Sequence, residues 1–255
     1  SSTMSSSIFI IDATGFVFRA YHALPPLTTP AGVPTGAVYG FGNMLLKLLQ
    51  EQKPEYLAAV FDSGKPSFRK DLYAQYKAHR PPAPPDLLPQ FPLVERMVRA
   101  FRVPYLSIAG FEADDVIATL VIQAKQANLD VTVVSSDKDL MQLAGGTVRL
   151  LDTMKDKVFG PAEVEEKFGV PPTRLGDWLA LVGDTSDNVP GVPGIGAKTA
   201  TKLLLEYGDL DAMVAAVGAS PDSGAKPGAK WQQSLRANLE QLRVSRQLVE
   251  LKTDC

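Results

Sequence analysis

The chain has a single cysteine, Cys255, at its last position, which excludes an internal disulfide framework and fits a reducing, cytoplasmic compartment. No stretch approaches the ~20 apolar residues that a membrane-spanning helix requires, so no membrane partner is expected. Residues 1–7 lack the basic and apolar regions of a signal peptide, and they read as a tag or a disordered lead around Met4. An excess of charge is missing too. Lys and Arg number 26 against 28 Asp and Glu, a net charge of −2, which by itself argues mildly against a nucleic-acid partner. What is present is 45% apolar residues over 255 positions, enough for one large domain or two small ones.

The acids are placed in a pattern. Ile8-Phe9-Ile10-Ile11-Asp12 is a continuous apolar run ending in an acid, as in a buried parallel strand. Tyr56 to Asp62 repeats the pattern. Pro104 to Ile108 is a third candidate strand, with Glu112 just beyond it. Asp130 to Ser136 is a fourth, followed by Asp137 and Asp139. Helical stretches fall between them, at about 37–52, 92–101, 112–127 and 138–144, which predicts alternating β and α elements around a largely parallel sheet. Ligands of such sheets bind outside the carboxyl ends of the strands. From Phe159 onward the chain turns to short helices near 161–168, 172–183 and 230–250, joined by Gly and Pro turns. Residues Gly218 to Ala229 read as a flexible surface loop. The expected domains are therefore 8–158 and 159–253.

Glu112-Ala113-Asp114-Asp115 puts three carboxylates at the head of an apolar helix. Like charges ~4–6 Å apart repel by about 1 kcal/mol even in water, more than a helix dipole returns, so a cation is expected there. With Asp12, Asp62, Asp137, Asp139, Asp184 and Asp187, nine acids form a candidate site. Oxygen ligands without clustered His or Cys suit Mg²⁺ or Mn²⁺. Two such ions can serve an in-line phosphoryl displacement. Setting those nine aside leaves 19 acids against 26 cations, so the remaining surface is basic.

Between Asp62 and Glu112, the segment Phe68 to Arg80 contains Arg69 and places Tyr73, Tyr76, Lys77 and Arg80 at helical spacing on one face, before Pro81-Pro82-Ala83-Pro84-Pro85. Two readings stand open: stacking and phosphate contact on a single strand, or tyrosines facing the core beside snorkelling cations. A mobile cover over about 65–92 fits either. Ser63-Gly64-Lys65 is not a phosphate loop, because Ala59 stands where the upstream glycine is required. Gly194-Ile195-Gly196-Ala197-Lys198-Thr199 exposes backbone amides at a helix start, with Lys198 against the dipole, which suggests a phosphate contact; a tight interhelical turn is the plainer reading.

Phe111-Glu112-Ala113-Asp114-Asp115, Ser136-Asp137-Lys138-Asp139-Leu140 and Gly183-Asp184-Thr185-Ser186-Asp187-Asn188-Val189-Pro190-Gly191, in this order and with the glycine hairpin after them, resemble the 5′-nuclease (flap endonuclease) family. The likeness is closest to the N-terminal 5′→3′ exonuclease domain of bacterial DNA polymerase I, and it spans about 8–253. It implies an α/β PIN-like core, a helical arch, and a helix-hairpin-helix near 184–205 that binds duplex DNA, with a K⁺ at its carbonyls. It also implies two divalent ions on all nine acids and hydrolysis near 5′ ends of flaps, nicks or overhangs. Lys77 and Arg80 correspond to cations on the scissile phosphate, working with Asp12, Asp62, Glu112 and Asp114. Arg19, Tyr21, Arg69, Tyr73, Tyr76, Gly194, Gly196, Lys198 and Thr199 are the implied DNA contacts. The resemblance further implies a monomeric, nucleoid-associated protein, free-standing or covalently part of a polymerase. The alternatives are a PIN-type ribonuclease and a non-catalytic binder of branched DNA.

Overall fold

The computed structural model describes residues 6–218 and 230–255, so the expected lead at 1–7 and loop at 218–229 lie almost wholly outside the described residues. Ser7 already belongs to the first strand. That strand, β1 (Ser7–Asp12), runs parallel to β2 (Tyr56–Val60) on one side and to β4 (Asp130–Val134) on the other, and β2 continues to the two-residue β3 (Tyr105–Leu106). All four strand candidates contain a strand. Beyond β4 the sheet gains β5 (Val148–Asp152), parallel, and β6 (Lys157–Phe159), antiparallel, giving the order β3-β2-β1-β4-β5-β6. These last two were not expected from the sequence.

Successive β1 side chains point to opposite faces, as a pleated strand dictates. Ile10 enters the core beneath α5 (Ala113–Gln126) and the C-terminal helices, whereas Phe9 and Ile11 enter the core beneath α1 (Ala13–Ala23), α2 (Gly36–Gln52) and α4 (Gln90–Ala100). A strand covered on both faces must be apolar throughout, which is why its only polar positions are at its ends. Helix α1 starts directly at Asp12 with no loop. The expected helix at 138–144 is a 3₁₀ turn, Lys138–Leu143.

The C-terminal helices are α6 (Pro161–Phe168), α7 (Pro172–Val182), α8 (Ala197–Tyr207), α9 (Leu210–Gly218), α10 (Lys230–Ala237) and α11 (Leu239–Val249). The expected single helix at 230–250 is thus two, divided at Asn238. Helices α7 and α8 flank the hairpin. Among the described residues no helix is long and apolar enough to cross a membrane.

The largest departure lies between β2 and α4. The helical spacing of residues 68–80 predicts one helix, and the resemblance implies a helical arch over about 65–92, but α3 covers only Phe68–Leu72. Tyr73 is extended (φ −151°, ψ 106°) and Lys77 is left-handed (φ 53°). Tertiary hydrogen bonds replace the helical ones. Lys77 N–H donates to the Asp187 carbonyl at 2.8 Å, and the Asn188 side-chain amide donates to the Gln75 carbonyl at 2.7 Å. A short amphipathic helix is marginal without a packed face, and here the backbone is bound as a strap to residues 187–188.

Candidate metal centre and its cationic rim

The acids reach the carboxyl edge of the sheet on several separate elements. Asp12 ends β1; Asp137 and Asp139 follow β4, where the Asp137 carboxylate accepts from Asp139 N–H at 2.9 Å. Asp114 stands in the first turn of α5. Asp184 and Asp187 come from the turn after α7. That turn is closed by Asp184 N–H to the Val189 carbonyl (2.9 Å) and Val189 N–H to the Asp184 carbonyl (2.8 Å). Gly183 and Gly191 allow it: a Cβ on Gly183 would lie 2.6 Å from the Val189 carbonyl oxygen, and one on Gly191 would lie 2.6 Å from that of Val182. Their signal in the sequence was the pair of glycines bracketing the Asp184–Asp187 motif.

Two groups result. Asp12, Asp114 and Asp137 form one, and Asp139, Asp184 and Asp187 the other, each with one carboxylate oxygen per residue within 4.8 Å of the others. Six of the nine acids therefore converge as ligand sets. Asp62 stands beside the first group, its Oδ1 accepting from Ala113 N–H at 2.8 Å. Thr14 and Ser135, unremarkable in sequence, brace the floor. Thr14 accepts from Asp62 N–H at 2.9 Å, and Ser135 donates to Asp12 Oδ2 at 2.8 Å.

The electrostatics separate the groups. Burial first, and then the charge of Asp137, push the Asp12 carboxyl up to about 7. Asp114 is raised well above the carboxylate range by burial and by Asp137 and Asp12. Asp139 rises to about 8, through burial and Asp137. Burial also raises Asp62 and Asp187. Asp184 goes the other way: burial would raise it, but the Ser186 hydroxyl and the Lys138 ammonium 3.5 Å away outweigh that. Asp139 Oδ1 is buried without a hydrogen-bond partner. An unpartnered buried carboxylate oxygen among acids is costly unless a cation completes it, so the donor set fits hard divalent ions.

Two of the nine acids take other roles. Asp115 is fully buried, and Arg69 donates to both its oxygens at 2.6 and 2.8 Å. Those oxygens also accept from Glu112 N–H and Lys252 N–H, so Asp115 is engaged in supporting the site and lies outside both carboxylate groups. Glu112 accepts from Arg69 (3.0 Å) and the Tyr76 hydroxyl (2.8 Å) on Oε1, and from Lys77 on Oε2. Both oxygens are occupied by donors, which makes Glu112 the anchor of the cationic rim. Burial alone would raise its carboxyl, but Lys77 and Arg69 hold it below the usual range.

Arg69 is correspondingly a buried strut. It also donates to the carbonyls of Leu248 and Glu250, both at 2.7 Å, so its guanidinium is spent within the protein. Tyr76 is 5% exposed and does not offer a stacking face. The reading in which tyrosines face inward beside cations holds for Tyr76; Tyr73 is half-buried. Lys77 reaches Glu112, and Arg80 reaches Asp187, so both cations border the acids. Arg19 is half-buried and donates to Ser136; the Tyr21 hydroxyl donates to Asp86 at 2.7 Å. Away from the acids, Gly194 (φ 83°), Gly196 and Lys198 are exposed at the start of α8, with Thr199 half-buried.

Residues 7–169 match the family model described as 5′-3′ exonuclease, N-terminal resolvase-like domain, and residues 170–255 match 5′-3′ exonuclease, C-terminal SAM fold. A DNA polymerase I of Rhizobium leguminosarum is 49% identical over 97% of this chain, which spans 24% of that protein. A 5′-3′ exonuclease of Aquifex aeolicus is 41% identical over 97% of the chain and 82% of its own length. In fold, the D15 protein of bacteriophage T5, co-crystallised with metal ions, superposes with a TM-score of 0.80 at 22% identity, over 97% of this chain and 90% of that one. The T5 D15 flap endonuclease in a complex with DNA and metal ions gives 0.77 at 24% identity, over the same shares. Strand-borne acids, the glycine-bracketed turn and the hairpin thus lie on a chain that belongs to the 5′-3′ exonuclease family.

Proposed function

We infer that this chain is a divalent-metal-dependent, structure-specific nuclease that hydrolyses DNA near 5′ ends of flaps, nicks and overhangs, in the removal of primers and in repair. The observation that carries the reading is the pair of carboxylate groups bordered by Lys77 and Arg80. Asp12, Asp114 and Asp137 would hold one Mg²⁺, and Asp139, Asp184 and Asp187 a second, with Asp62 beside the first. Bound there, two such ions lower the pKa of water and stabilise the attacking and leaving oxygens of a phosphodiester.

The protein's own groups position the DNA. Lys77 and Arg80 are placed to receive the scissile phosphate and to neutralise charge developing on it. Arg19, beside Ser136, and Tyr21, farther along the same helix, would add contacts to the DNA on the α1 side. Gly194, Gly196, Lys198 and Thr199 offer amides and a cation to duplex phosphates, and the hairpin carbonyls suit a K⁺. Residues 8–158 would form the nuclease core and 159–253 the helical region that grips the duplex, in a cytoplasmic, nucleoid-associated enzyme.

A 5′-labelled flap substrate tests this with Mg²⁺ and with EDTA. Mg²⁺-dependent release of the labelled flap is expected, and its absence would sink the reading. Lys77→Ala should slow cleavage by about 10²–10³, the cost of one group on developing charge, while duplex binding stays near wild type. Equal losses in both would move Lys77 to the binding surface.

A further inference from the structure

The acidic cleft and the hairpin leave part of the basic surface unexplained. Three exposed cations elsewhere are partnered within their own helix: Lys47 with Glu51, Arg99 with Glu95, Arg243 with Glu240. Lys155, Lys157 and Lys167 are exposed and form no ion pair among the described residues, yet they are crowded together. The Lys157 and Lys167 ammoniums lie 4.9 and 5.6 Å from the centre of the same Phe159 ring, and Lys167 lies 5.5 Å from that of Phe168. Lys155 stands in the β5–β6 turn above them. Partial burial, followed by the charge of Lys155, lowers Lys167; Lys157 and Lys138 add to this, and Asp152 opposes it. Asp152 is already committed to the N–H groups of Met154 and Lys155, and Glu163 to that of Gly160.

From Lys167 the surface continues into a groove of about 530 Å³ between α6 and α8, lined by Lys167, Phe168, Trp178, Lys198, Lys202 and Leu205 among others. Its neutral polar groups are satisfied internally. The Trp178 indole donates to Thr201 Oγ1 at 3.0 Å, and the Thr201 hydroxyl donates to the Phe168 carbonyl at 2.6 Å. Neither neutral side-chain donor of the groove is left over to read a base edge. Phe159, Phe168 and Trp178 are each 8% exposed or less, so none offers a face for base stacking. The crowded lysines lie beside an apolar floor, with Asp156, Glu165 and Glu166 exposed in the same segments, and their ammoniums suit phosphates.

We propose that Lys155, Lys157 and Lys167 form a second phosphate-contacting surface, continuous with the hairpin, along which one strand of duplex DNA lies, read without regard to sequence. The proposal rests on the DNA-binding reading above. It extends the footprint from Lys198 and Lys202 across α6 to the β5–β6 turn, and Lys138 carries the same positive strip to the edge of the acidic cleft.

The test is binding of a fluorescein-labelled blunt duplex, and of a single strand of equal length, followed by anisotropy in EDTA over a range of KCl. The variant K155E/K157E/K167E should lower the salt slope on duplex by two to three, at about 0.9 per phosphate contact, and should weaken binding about tenfold or more near 100 mM salt. Its thermal unfolding and the single-strand affinity should match wild type. A charge-matched control, K47E/R99E/R243E, should keep the wild-type slope. Wild-type protein that binds no duplex would refute the DNA reading itself. Wild-type binding with an unchanged slope in the triple variant would overturn the second surface alone. So would an equal loss in the control, or an equal loss on single strand.

Discussion

The two carboxylate groups sit side by side at one edge of the sheet, but they differ in how their charge is compensated. Asp12, Asp114 and Asp137 come entirely from the sheet half, and among the described residues no ammonium or guanidinium is bonded to them; burial and their neighbours raise the Asp12 and Asp114 carboxyls. Asp139, Asp184 and Asp187 join the sheet half to the turn after α7. They have Lys138 on Asp184 and Arg80 on Asp187. The first group therefore depends more on an external cation, with only the Arg19 charge near Asp12. The second is partly neutralised by the chain itself.

The difference predicts unequal losses. Asp12→Asn should abolish binding of one Mn²⁺ in calorimetry and reduce cleavage by about 10³ or more, comparable with removing a major electrostatic element of a transition state. Asp184→Asn should lose less, because Lys138 is released to the site. Equal losses would erase the distinction. Asp115→Asn separates support from ligation: it strands the buried Arg69 guanidinium and should cost about 3–5 kcal/mol in denaturant unfolding, without removing a metal site in calorimetry. A lost ion with unchanged stability would restore Asp115 to the ligand set.

The smallest expected effect is on pH dependence. Asp12 and Asp139 titrate at about 7 and about 8 in the folded chain, against an ordinary aspartate value of 3.8. Between pH 4 and 8 the folded state thus holds more protons than the unfolded one, so metal-free stability must fall as pH rises through this window. Melting temperature in EDTA should drop from pH 5.5 to 8.5, and saturating Ca²⁺ should flatten the slope. A metal-free melting temperature that rises over that range would contradict the electrostatics of both groups.

Much of the site was legible because its logic is one-dimensional. A strand buried on both faces must be apolar throughout, so the acid that ends it stands out, as at Asp12, Asp62 and Asp137. Strand β5 also ends in an acid, Asp152, but the exposed Arg149 breaks its apolar run, and β6 is only three residues long. The strap at 68–80 misled for the opposite reason. Its helical spacing is real, yet Lys77 N–H and the Gln75 carbonyl find partners on the turn after α7, more than a hundred residues away.

The sequence alone determined that acids gather at the ends of parallel strands, that oxygen-ligated cations are needed there, and that a glycine hairpin follows, since each is a property of local pattern and residue chemistry. Only the tertiary structure decided which acids remain available to an ion. Glu112, Asp114 and Asp115 are near-equivalent as letters. Packing of α3 and the C-terminal segment against α5 buries Arg69 beside two of them, and a buried guanidinium must be paired, so Asp115 and Glu112 are taken and Asp114 is left to the metal centre.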